Sequence, residues 1–386
     1  MSRILLGWEL GAGTGHVVML SRTAEALRAC GHEAIFAVQH IGAMPAGSAA
    51  WQAPLWPQQL TTQARRAGSG PATMGDILAV LGLADGRAVA AMVTAWENIL
   101  AVTRPHAIIA EYAPMLLVAA NGRVPTLSTG TGFSLPPAYL PSFPTLTGQP
   151  AAVDEPKLLH TVNAALASVG RPTLPGLPAL FTADRTLPAA FAEFDPYRSV
   201  RREGHGAPSL SGAIAESRGD GDELFAYMSG SETRPNAFWN GLVRSGVPVR
   251  VYDARLTPAD RDVLERAGVT VEIGKVPFDR IVERSRIVMS HGGLGFVSSA
   301  LIAGLPQIVA PFDLEKRLIS ASVVGLRLGV EQRLAGLEAD SFANLVRRTM
   351  ADQALVDRAR AAAPSFRARA ARSSTDEIAD AIQELL

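Results

Sequence analysis

The chain has 386 residues, 48% of them hydrophobic and 19% charged, which describes a globular chain and not a disordered one and is long for one ordinary domain. Lys+Arg and Asp+Glu balance at 36 each, leaving no overall basic field of the kind that marks a nucleic-acid partner. Cys30 is the single cysteine, which excludes an internal disulfide and suits a reducing compartment.

Met1 to Gly7 runs directly into a strand pattern at Ile4-Leu5-Leu6, with no long apolar signal segment. The most apolar stretches are broken by charge, at Asp85, Arg87 and Glu111, so no integral membrane segment is expected and the cytoplasm is the default location. Gly11-Ala12-Gly13-Thr14-Gly15-His16 follows that strand and opens a helix over Val17 to Ala29, which Gly31 stops before the strand Ala34 to Val38. The glycine spacing departs from the dinucleotide fingerprint, because the last glycine is shifted and no acid clearly ends the second strand. A histidine at a helix N-terminus is disfavoured as imidazolium, which leaves a neutral ring able to take a proton from a hydroxyl. His16 fits that role; the other reading is that it caps the helix or bonds a backbone carbonyl.

Residues Gly75 to Thr103 read as one helix, and Pro105 precedes the buried-strand run Ala107 to Ala110. Glu111 stands at the carboxyl end of that strand, where ligands gather in open parallel sheets. It reads either as the carboxylate that orients a base histidine or as a sheet-end acid bonded to backbone amides. Phe133 to Pro150 turns Pro-rich and irregular, which suits a substrate-shaping loop. His32, His40, His106, His160 and His205 are scattered singly and are expected at surface or satisfied positions.

A shift to Gly, Ser, Arg and Glu places a linker at 206–222, between a first domain at 1–205 and a second at 223–372. Asp220-Gly221-Asp222 has a metal-binding spacing, but it lies in this polar stretch ahead of a strand and reads as a solvated loop. No His, Cys and carboxylate cluster elsewhere has ligand spacing, so no metal is expected. The second domain repeats the alternation, with strands at Leu224–Met228, Val249–Tyr252, Val269–Ile273, Arg286–Met289 and Gln307–Ala310. Thr375-Asp376 leads an amphipathic run that reads as a capped terminal helix over 373–386.

Between the last two strands runs Ser290-His291-Gly292-Gly293-Leu294-Gly295-Phe296, followed by Pro311-Phe312-Asp313-Leu314-Glu315-Lys316. A glycine loop that opens a helix turns backbone N–H groups and a positive helix end toward an anion, normally a phosphate. Together with Gly15-His16 and Gly31-His32-Glu33, this passage resembles the GT-B glycosyltransferases of family 1, which use nucleotide sugars. The resemblance implies two Rossmann-like doubly wound α/β domains facing a central cleft, with the last helix crossing back to the first domain. It implies an inverting, metal-independent transfer from a nucleoside-diphosphate sugar to a small-molecule hydroxyl, with His16 as base. Ser229, Gly230, Ser231, Val276, His291, Gly292, Gly293, Gly295, Ser299, Glu315 and Lys316 match the donor-binding positions.

This sequence departs from the pattern in four places. Lys275 stands for an aromatic beside the base, Phe296 for a hydroxyl residue beside the phosphates, Ser299 for the Glu that grips the ribose, and Glu315-Lys316 for Asp-Gln. A short Ser299 cannot hold both ribose hydroxyls, so dTDP-sugars are expected to bind at least as well as UDP-sugars. The same departures support a second reading, a catalytically degenerate helper or nucleotide-sugar-binding protein of this fold.

Overall fold

The computed structural model describes the chain except residues 12, 14, 46, 47, 58–69, 211 and 229–233. The chain divides into two compact units, Met1–Ala207 with Ser373–Leu386, and Pro208–Arg372.

The first unit carries β1 (Arg3–Trp8), α1 (Gly15–Ala29), β2 (Glu33–Val38), β3 (Ala50–Gln52), α2 (Met74–Leu78), α3 (Gly86–Thr103), β4 (Ala107–Glu111), α4 (Pro114–Ala120), β5 (Thr126–Gly130), α5 (Glu155–Ser168) and β6 (Arg185–Pro188). The second carries β7 (Glu223–Tyr227), α6 (Asn236–Arg244), β8 (Val249–Tyr252), α7 (Pro258–Arg266), β9 (Thr270–Val271), α8 (Phe278–Val282), β10 (Ser285–Ser290), α9 (Leu294–Ala303), β11 (Gln307–Val309), α10 (Leu314–Gly325), β12 (Gly329–Glu331), α11 (Ala339–Ala351) and α12 (Gln353–Arg369). The last helix, α13 (Ser374–Leu385), belongs to the first unit.

Each unit is built on a six-stranded parallel sheet, ordered β3-β2-β1-β4-β5-β6 and β12-β11-β10-β7-β8-β9. Numbered within its own unit, each is the doubly wound order, and it reverses between β1 and β4 in one and between β7 and β10 in the other. Open parallel sheets bind ligands at the carboxyl ends of the strands at such a reversal. Both glycine loops sit there.

Alternation decides which side chains face which helix layer. Ile4, Leu6 and Trp8 of β1 join Ala107 and Ile109 of β4 in one core with Val17 and Leu20 of α1 and Ile378 and Ile382 of α13. Gly7 points to the other face, where Leu116 of α4 and Trp96 of α3 close over the sheet. Ile378 and Ile382 are fully buried, and each such side chain contributes about 1.5–3 kcal/mol, so the terminal helix is part of the first unit's core. Its N-cap is Ser373, whose hydroxyl accepts from the Asp376 N–H; the cap stands two residues before the Thr375 read from the sequence.

Two further expectations are corrected. The helix expected over Gly75 to Thr103 is broken: Gly82 takes φ +120°, a conformation no helix continues through, and Asp85 caps a fresh start at α3. The expected linker 206–222 is divided. Gly206 bridges to Ala189 beside β6, and the Ala207 N–H donates to Glu377 of α13, whereas the buried Ser217 donates its N–H to Ala303 at the end of α9. Among the described residues no single helix is long and apolar enough to cross a membrane.

Candidate active site

In the first unit, Trp8 and Glu111 are register partners at the carboxyl ends of β1 and β4. Parallel register sends both side chains to the same face, the one covered by α1. His16, in the first turn of α1, lies over them. Its Nδ1 is 2.7 Å from Glu111 Oε2, and its ring stacks on the indole of Trp8 at 4.9 Å and 18°. A carboxylate can only accept, so Nδ1 carries the proton of the neutral ring and Nε2 carries the lone pair. Glu111 is 3% exposed, so little water competes for its oxygens.

The turn after β1 makes room for this ring. Gly11 has φ +92°, and a Cβ placed on it would fall 2.4 Å from His16 Nε2. Its carbonyl accepts from the buried Gln39 side chain at 2.6 Å, which fixes the turn against β2. Tyr112, directly after Glu111, holds a positive φ of 45°, strain of the kind that collects at functional sites.

Trp8 and Glu9 were not legible as site residues. Glu9 is completely buried and caps the first turn of α4, accepting from Met115 N–H at 3.1 Å, Leu116 N–H at 2.6 Å and Trp56 Nε1 at 3.1 Å. Burial pushes its carboxyl up from 4.5 to about 7, against the pull of these donors. Folding thus favours the protonated form. The contribution is fully present below the unfolded value of 4.5 and is lost as pH rises through about 7. The stability of wild type relative to Glu9→Gln is expected to fall by up to about 3 kcal/mol between about pH 4.5 and 8, read from urea melts. A difference that stays constant with pH would contradict this.

Three of the other histidines are held by ordinary contacts. His106 accepts from the Arg3 N–H, His32 from that of Ser2, and His205 bonds the buried Asp195 at 2.9 Å.

In the second unit, β10 ends at Ser290, and Gly293 is the N-cap of α9 without a capping side chain, so the N–H groups of the first turn stay available to an anion. His291 is packed between Tyr227 at 6.3 Å and Phe312 at 5.8 Å. Burial pulls its pKa down to about 4, with Lys316 and Arg234 adding to the effect and Glu315 opposing it. At neutral pH the ring is therefore an uncharged donor. Two cations stand near it instead. Burial alone would lower Lys316, but Glu315 and Asp313 outweigh it, and its pKa ends raised and the ammonium charged. Arg234, missed in the sequence, donates to the Met228 carbonyl at 2.7 Å and pairs with Asp253 at 2.6 Å.

The four departures take a physical form. Phe296 stacks on Tyr227 at 4.9 Å, Tyr227 on Tyr252 at 5.7 Å, and Phe278 meets Phe296 edge-on, with Val276 packed beside them. Ser299 is buried and its hydroxyl donates to the Gly295 carbonyl at 2.8 Å. Glu315 and Lys316 form an ion pair with each other. Lys275 is exposed. Ser229, Gly230 and Ser231 lie outside the described residues. Among the described residues no group of three His, Cys, Asp or Glu is placed to hold a metal ion.

Residues 256–385 match the family model described as the C-terminal domain of erythromycin biosynthesis protein CIII-like proteins. A zeaxanthin glucosyltransferase of Pseudescherichia vulneris is 27% identical over 158 residues, which span 40% of this chain and 36% of that relative. Among solved structures, the calicheamicin glycosyltransferase CalG4 superposes with a TM-score of 0.73 at 20% identity, over 100% of this chain and 98% of that one. The glycosyltransferase VinC, solved in complex with dTDP, gives a TM-score of 0.65 at 16% identity over 99% of both chains. The chain thus has the GT-B fold that these solved glycosyltransferases share, and its residues 256–385 are similar to the C-terminal domain of the erythromycin CIII-like proteins.

Proposed function

We propose that this protein is an inverting glycosyltransferase that moves a sugar from a nucleoside diphosphate to the hydroxyl of a small-molecule acceptor. The observation that carries the reading is the His16–Glu111 pair, 2.7 Å apart at the sheet reversal of the first unit. His16 Nε2 takes the acceptor's hydroxyl proton while Glu111 holds Nδ1–H and balances the imidazolium that forms. The acceptor oxygen then bonds the anomeric carbon from the side opposite the diphosphate, and the C–O bond to the diphosphate breaks. One displacement inverts the centre. The leaving diphosphate takes up the negative charge, and the amides of Gly293 and Gly295, neutral His291 and the start of α9 are the groups suited to stabilise it, with Ser231 as a further donor, while the Gly292 N–H donates to the Ser290 hydroxyl at 3.2 Å.

In this reading Val276 lies along the base and Glu315–Lys316 faces the sugar. Ser299 has its hydroxyl committed to the helix backbone, so a ribose 2′-hydroxyl gains nothing from it. The ordered cations near His291, Lys316 and Arg234, support transfer without a metal. The helper-protein reading draws on Phe296 and the closed Glu315–Lys316 pair, but it leaves the His16–Glu111 pair without a use.

Calorimetric titration with dTDP and UDP in excess EDTA tests the donor side. Both are expected to bind in chelator, dTDP at least as tightly as UDP. A preference for UDP of about tenfold, roughly 1.4 kcal/mol, or binding restored only by manganese or magnesium, would overturn this assignment.

A further inference from the structure

We infer that Trp8 is a positioning residue for the base, and that its indole face stabilises the His16 imidazolium formed as the acceptor proton is taken up. The inference rests on the reading of His16 as the base. Three observations place the indole for this work. Trp8 is fully buried and its Nε1 donates to the Leu10 carbonyl at 2.6 Å, so the plane of the ring is fixed. Its register with Glu111 sets the aromatic face and the carboxylate side by side under one imidazole. The rings are near-parallel, 18° apart with centroids 4.9 Å apart, so the cation would sit over the π-face.

A cation over a tryptophan face gains about 0.5–2 kcal/mol, more as water is excluded, and the His16 side chain is only 19% exposed. The neutral ring gains far less. The contact is therefore stronger after proton transfer than before it, which is the condition for accelerating the step. Among the described residues, Glu111 of β4 and Trp8 of β1 face the His16 ring, His40 meets Trp8 in an edge-on contact at 5.8 Å, and Gly11 brings no side chain.

The test reads protonation directly and needs no substrate. Histidine Cε1–H resonances of the full chain are titrated by NMR, and the one missing in His16→Gln is assigned to His16. In Trp8→Leu its midpoint is expected to fall by about 0.5–1 pH unit relative to wild type, and in Trp8→Phe by a smaller amount, since phenylalanine keeps a weaker π-face. Should Trp8→Leu fail to fold, the direction of the shift in Trp8→Phe decides alone. A midpoint unchanged or raised, in variants whose melting shows a folded chain, would overturn the inference. That outcome is separate from failure of the base assignment, which would show as turnover surviving in His16→Ala.

Discussion

His16→Ala is expected to remove transfer, by about 10²–10⁴-fold in kcat, while donor binding stays near wild type. The split follows from where the groups sit. His16 and Glu111 belong to the first unit, and the helix start, His291 and Val276 belong to the second. Losing the imidazole leaves the acceptor hydroxyl with its proton, at an oxygen that is a poor nucleophile until the proton goes. It does nothing to the groups assigned to the diphosphate. Glu111→Gln is expected to lose less, because an amide can still bond the ring but cannot balance the imidazolium. Turnover of one donor and acceptor pair, measured beside calorimetric binding of dTDP, checks both halves. Near-normal turnover in His16→Ala would end the catalytic assignment; lost donor binding would show that the residue also supports the fold.

The positions of His16 and Glu111 were legible because a helix start and a strand end can be placed from periodicity. Reading the pair as a base and its orienting acid came from the family resemblance, and sheet order brought the two side chains together. Trp8 was not legible, because stacking depends on cross-strand register, and nothing local says that residue 8 pairs with residue 111. The donor loop shows the same division. The glycines and the helix start can be read off the chain, but the hydrogen-bond choice of Ser299 is made four residues back along its own helix. Likewise Phe296 of α9 finds Tyr227 at the end of β7, and Lys316 finds its own neighbour Glu315. A break such as Gly82 was hidden because the apolar pattern continues on both sides of it, while the backbone turns. What fails to show in sequence is where a side chain has two partners within reach and tertiary structure picks one.

Gly11→Ala is expected to cut turnover on the order of 10²-fold, the usual effect of misplacing a catalytic group by about 1 Å. The added methyl would lie 2.4 Å from His16 Nε2 and 2.7 Å from Cε1, so the imidazole must swing, and swinging breaks the 2.7 Å bond to Glu111 or the stack on Trp8. Backbone strain accompanies the clash, since φ is +92° and an L-residue in such a conformation costs roughly 1–2 kcal/mol. Gly13 separates the two effects. Its φ is +93°, but a methyl there meets nothing within 4 Å. Gly13→Ala is therefore expected to lower the melting temperature about as much as Gly11→Ala while keeping most of the turnover. The His16 NMR midpoint should also move in Gly11→Ala alone, because only there does the ring lose its bond to Glu111 or its stack on Trp8. Equal losses of turnover in the two variants would mean that turn strain, and not the position of the imidazole, limits the reaction.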